Sequence, residues 1–164
     1  MNRPAAFALF GDPVGQSLSP LMHKAAFGRM GIAADYTAHR VEDASEVVRR
    51  IREEGIGGAS ITIPFKETVM ALIDAVDPDA AAIGAVNTIV NRGGRLTGYN
   101  TDAPGFLRDL GEWMTIPGKT FVILGAGGAA RAAVHGFRAA GGTPVVVNRT
   151  AERSRTLAVD FRCR

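Results

Sequence analysis

The chain has 164 residues, 46% of them hydrophobic and 21% charged, with a net charge of +3 and a pI near 9.5. That is room for one ordinary domain or two small ones, and it is the composition of a soluble globular protein rather than a disordered or fibrous one. Mild basicity without a block of like charges, and without aromatic residues interleaved among the cations, fits an anionic small ligand and argues against nucleic acid.

In chain order, "AAFALFG" predicts a first strand, broken by "GDPVG". Its apolar run is too short for a signal peptide. Pro20 marks the start of a helix that Gly31 stops. "ADYTAHRV" predicts a second strand. "EDASEVVRRIREEG" predicts an amphipathic helix with Val47, Val48 and Ile51 on one face and Gly55 as its end. "GGASITI" predicts a third strand, ending at Pro64, and "KETVMALIDAV" a helix. "GAVNTIVNRGGRLTGYNTD" predicts a hairpin about "RGG". "APGFLRDLGEWM" predicts a helix with Asp102 as its cap. The alternation argues for an α/β fold with a largely parallel sheet, and a boundary falls between about Asp102 and Pro117. The single cysteine, Cys163, excludes an internal disulfide or a cysteine-ligated zinc site. His23, His39 and His135 are scattered, so no metal is expected. No apolar stretch is long enough to span a membrane, and a reducing cytoplasm is the expectation.

"FVILGAGGAARAAVHGF" is the strongest local motif. An apolar strand, Phe121 to Leu124, runs into Gly125, Ala126, Gly127, Gly128 and Ala129 and then a helix. This is the strand, glycine-rich turn and helix layout of a dinucleotide site. Gly125 permits a tight turn, Gly127 lets the backbone approach a pyrophosphate, and Ala130 replaces a third glycine at the helix contact. Helix N-terminal amides supply donors and partial positive charge. After "TPVVV", where NAD sites carry an acid, stand Asn148, Arg149 and Thr150, with Arg153 a turn on. Guanidinium groups match a phosphate in charge and fork geometry, which favours NADP over NAD.

Six motifs stand in order: "GDPVGQSLSPLMHKAAF", "ASITIPFKE", "IGAVNTIV", "GYNTDAPGF", "LGAGGAARA" and "NRT". Together they resemble the shikimate dehydrogenases, NADP-dependent enzymes of aromatic amino-acid biosynthesis, from about residue 7 to residue 161. The resemblance implies a substrate-binding α/β domain over residues 1–102. Residues 103–164 would then hold a linker helix and the start of a Rossmann-type NADP-binding domain. It implies that Lys66 and Asp102 are catalytic, facing each other across the substrate hydroxyl. It also implies that Ser17 and Ser19 hold the substrate carboxylate, and that Thr62, Asn87 and Asp102 bind ring hydroxyls. Lysine near a carboxylate can hold or shuttle the proton that an alcohol loses on oxidation; which of the two is the base stays open. The implied partner is a small molecule, shikimate or 3-dehydroshikimate, with room for a homodimer.

The chain departs from the family pattern at Gln16, Lys24 and Ser60, where His, Asn and Asn are usual. Quinate preference is a weaker reading, opposed by Ser19. The larger departure is length. A complete dinucleotide fold has about six strands, whereas this one shows two. The expectation is a C-terminally truncated chain, marginally stable beyond about residue 117. Against the enzyme stands a different class, a module that binds shikimate-like carboxylates without hydride transfer.

Overall fold

The computed structural model describes residues 4–163. It divides into two compact units, Met1–Pro78 with Val86–Tyr99, and Asp79–Ala85 with Asn100–Arg164.

The first unit is built on a six-stranded sheet of order β2-β1-β3-β5-β6-β4. β1 (Ala5–Gly11) lies between β2 (Ala34–Arg40) and β3 (Gly58–Ile61), parallel to both. Alternation along β1 sends Phe7 and Leu9 to one face and Ala8 and Phe10 to the other. Helix α1 (Ser19–Met30) meets the first face: Phe27 lies 5.5 Å from Phe7, and His23 stacks on Tyr36 at 4.2 Å. Helix α2 (Ala44–Glu53) meets the second. Its Val47, Val48 and Ile51 are buried, and the Arg50 guanidinium sits 5.6 Å above the Phe10 ring. Opposite faces are what two right-handed crossovers running in opposite directions along a sheet require. Both helix ends follow the glycine expectation, with Gly31 and Gly55 at φ +66°.

Beyond β3 the sheet is mixed rather than largely parallel. β5 (Thr88–Arg92) is antiparallel to β3, and β6 (Arg95–Tyr99) is antiparallel to β5. The turn between them uses Gly93 and Gly94 at φ +61° and +90°, values a two-residue hairpin of this kind demands. The helix expected over 66–76 does not form. A single 3-10 turn, Thr68–Ala71, is followed by the short strand β4 (Ala75–Val76) beside β6. Tertiary bonds win there. The Asp74 N–H donates to the Leu96 carbonyl at 3.1 Å, the Asp77 N–H to the Gly98 carbonyl at 2.9 Å, and the Leu96 N–H to the Asp74 carboxylate at 2.7 Å. Helix α3 (Pro78–Ile83) was not expected; it ends at Gly84, φ +72°.

In the second unit, β7 (Thr120–Leu124) and β8 (Thr143–Val147) form a parallel pair. Helix α4 (Asp102–Gly111) packs on α5 (Gly128–Ala139), where a Cβ on Gly136 would come within 3.1 Å of Leu107. Helix α6 (Ala151–Asp160) buries Leu157 with Ala126, Ala130, Val134, Val146 and Phe161. Among the described residues, no helix is long and apolar enough to cross a membrane.

Candidate functional site

Parallel β1 and β3 both end at the same edge of the first unit. From there the chain leaves β1 towards β2 and leaves β3 the other way. Ligands in open α/β sheets bind outside strand C-termini at such a switch point. Gly11 closes β1, and a Cβ there would overlap the Thr62 Cγ2 and lie 2.9 Å from the Ile63 carbonyl oxygen. Glycine at this position lets the two strand ends approach. The Thr62 N–H donates to the Phe10 carbonyl at 2.9 Å, and the Asp12 N–H to the Ile63 carbonyl at 2.9 Å.

A cavity of about 480 Å³ opens at this edge, lined by Ser17, Ser19 and Thr62 together with Gln16 and the apolar Leu9 and Val14. Three of the expected substrate residues therefore share one cavity, and all three are half-buried. Ser17 Oγ donates to Ser19 Oγ at 3.2 Å and accepts from the Ser19 N–H at 3.2 Å, where Pro20 then fixes the first turn of α1. Lys66 and Asn87 are tied to the same strand end through the backbone. The Val86 N–H donates to the Lys66 carbonyl at 2.7 Å, and the Ile61 N–H to the Asn87 carbonyl at 2.7 Å. Asn87 Oδ1 accepts from the Thr88 hydroxyl at 2.8 Å. Ser60 does not line this cavity. It accepts from the Tyr36 hydroxyl at 2.7 Å beside a separate apolar cavity of about 310 Å³, so of the pocket departures Gln16 is the one that faces the serines.

Asp102, in the second unit, is the first residue of α4 and is half-buried. It is not the cap. Asn100 Oδ1 takes that role, accepting from the Asp102 N–H at 3.0 Å and the Ala103 N–H at 3.4 Å. A side-chain carbonyl two residues upstream reaches those amides in a turn that Asp102 itself would have to abandon helical geometry to make. Asn100 went unnoticed in the sequence, although an Asx residue just before a helix is a usable signal. Gly11 carried no local signal, because its partner strand is 50 residues away.

The glycine loop has the form a dinucleotide needs. Gly125 adopts φ +123°, and its N–H donates to the Val147 carbonyl at 2.7 Å. Gly127 caps α5 without a side chain, and a Cβ on either glycine would meet nothing within 4 Å. The space in front of both is open for a ligand to come close to the backbone, and the first-turn amides of α5 carry the partial charge that favours an anion. Ala126 and Ala130 are buried beneath the loop while Ala129 and Gly128 are more accessible. At the end of β8, Asn148 Nδ2 donates to the Thr150 carbonyl at 2.9 Å and closes the turn. Arg149, Thr150 and Arg153 are exposed around it. These residues fit NADP: the loop and α5 would hold the pyrophosphate, and the two arginines a ribose phosphate.

A family profile described as the shikimate dehydrogenase substrate binding domain matches residues 9–89. The NADP(+)-dependent shikimate dehydrogenase of Moorella thermoacetica is 52% identical over 155 residues, covering 92% of this chain and 52% of the relative. That of Geobacillus sp. is 48% identical over 156 residues, covering 92% and 56%. The crystal structure of Thermus thermophilus shikimate 5-dehydrogenase in complex with NADP(H) and shikimate superposes with a TM-score of 0.88 at 40% identity, covering 98% of this chain and 62% of that one. The chain spans about half the length of the curated relatives it matches. Residues 9–89 thus match the substrate-binding domain of the shikimate dehydrogenases, and on the motifs, the shared strand-end cavity and these likenesses the chain is similar to those enzymes over nearly its whole length.

Proposed function

We propose that the protein to which this chain corresponds is a shikimate dehydrogenase, interconverting 3-dehydroshikimate and shikimate with NADPH or NADP+ in the cytoplasm. In this reading residues 1–102 form the substrate-binding catalytic domain and residues 103–164 belong to the cofactor-binding domain. The observation that carries it is the cavity shared by Ser17, Ser19 and Thr62. Two hydroxyls at a helix start suit a carboxylate, and Thr62 and Asn87 suit ring hydroxyls. Held by the glycine loop of residues 125–128 with Arg149 and Arg153, NADP+ would supply the hydride acceptor for the carbinol carbon. The hydroxyl proton must leave at the same time, and Lys66 with Asp102 is the pair proposed to hold or move it. Asp102 also accepts a hydrogen bond from the substrate. Arg149 and Arg153 favour the phosphorylated cofactor over NAD.

The test follows NADPH formation from shikimate and NADP+, with calorimetric titration of shikimate in parallel. Lys66→Ala should lower turnover by about 10²-fold or more, the usual worth of a positioned acid or base. Ser17→Ala with Ser19→Ala should weaken shikimate binding while leaving the fold intact. Saturable binding without turnover would support the non-catalytic module instead. Absence of both, in folded protein, would overturn the reading.

A further inference from the structure

We propose that Asn100 is a positioning residue for Asp102, fixing the first turn of α4 and with it that carboxylate; the inference rests on the catalytic reading of Asp102. Among the described residues Asn100 is the polar side chain in the buried class, 7% exposed. A buried amide requires partners on both its donor and acceptor sides. Asn100 has them: Nδ2 donates to the Ala85 carbonyl at 2.9 Å, while Oδ1 accepts from the Asp102 and Ala103 N–H groups. The backbone it ties is buried. Ala85 and Ala103 are buried with Ile83 and Ala132 in one cluster. One rigid planar group thus holds the first turn of α4 and the exit of α3 in fixed register.

The tied turn of α4 carries the proposed chemistry. Asp102 follows Asn100 by two residues. Because Asn100 does the capping, Asp102 stands inside the first helical turn, where the helix dipole favours a negative charge. Asparagine is the residue for this task. Aspartate could accept from α4 but would oppose its oxygen to the Ala85 carbonyl; serine could cap but not span to Ala85.

The test is a double-mutant cycle on shikimate affinity, read by calorimetry on the full chain, with circular dichroism to establish folding. Asn100→Ala should weaken binding about tenfold alone, a coupling within the usual range for residues in one hydrogen-bonded unit. In the Asp102→Asn background it should change affinity less than about twofold. If Asn100→Ala does not fold, Asn100→Ser is put through the same cycle and judged by the same criterion. Additive losses would mean a merely structural role and overturn the proposal. An Asp102→Asn variant that binds like the unsubstituted chain would remove the role of Asp102 and the proposal with it. An unsubstituted chain that does not bind shikimate overturns the functional reading as well.

Discussion

At Gly11 two strand ends meet with no room for a side chain, and this contact sets Thr62 against the serine loop. Overpacking of this kind costs about 1–3 kcal/mol. Gly11→Ala is therefore expected to displace Thr62 and weaken shikimate binding by about tenfold, measured by calorimetry alongside a thermal melt. Gly28 gives the contrast. It lies inside α1, and a Cβ there would meet nothing within 4 Å. Gly28→Ala should stabilise by about 0.5–1 kcal/mol through helix propensity and leave binding unchanged. A Gly11→Ala variant with unaltered affinity would show that the close approach does not govern the cavity.

At the scale of elements, α2 is fastened to β2 through His39. Arg50 can only donate, so its contact with His39 Nδ1 at 3.1 Å makes that nitrogen the acceptor. Nε2–H then faces Thr37 Oγ1 at 2.7 Å. Burial, and then the Arg50 cation, hold the His39 pKa below the ordinary 6.5, with Glu54 opposing. A histidine whose folded pKa is depressed stabilises fully above the unfolded value. As pH falls below about 6.5 the unfolded chain takes up the proton first, and stability declines until the folded pKa is passed. The expected result is a melting temperature that drops between pH 7.5 and 5.5, with a slope that His39→Gln flattens and a His39 NMR titration midpoint below 6.5. Asp35, Asp43, Glu54 and Asp74 are also depressed, chiefly by hydrogen bonds to their charged form, but they act in a lower range, below about 4.5.

The elements differed in how far they could be read from residues. Strand β1, α2 and the Gly93–Gly94 hairpin were legible because alternation, an apolar stripe and paired positive φ angles are local facts. The segment after Lys66 was not, because its conformation is decided by bonds to β6 that lie twenty residues further on. Helix α3 was short enough to escape periodicity, though Pro78 at its start and Gly84 at its end punctuate it. Within the candidate site, Ser17, Ser19 and Thr62 were legible through motif order, and the cavity joins them. The hand-over of capping from Asp102 to Asn100 was not, since both residues carry suitable oxygens and only backbone geometry distinguishes them.

For the whole molecule, the two units are unequally built. The first buries both faces of β1, with Leu9 and Tyr36 at 4% and 3% exposure on the α1 side and Ala8, Phe10, Val47 and Ile51 at zero on the α2 side. The second rests on a two-stranded sheet whose one side packs on the Val134 and Leu157 cluster. Its other side leaves Val122 64%, Leu124 81% and Val147 50% exposed. A paired ribbon with an open apolar face is marginal in stability and prone to association. Hydrogen exchange should therefore show amides of β7 and β8 opening well before those of β1 and β3. Light scattering should show self-association that rises with protein concentration. Replacing Val122 and Leu124 together by Thr removes side chains that bury little, so the melting temperature should change by little while the association falls. Thr is β-branched and so preserves the strand preference at both positions. If exchange were uniform across both units, the second would be as firmly packed as the first. If the double variant associated as before, the contact would lie elsewhere, with the exposed Leu18, Leu21 and Met22 around the start of α1 the next surface to alter.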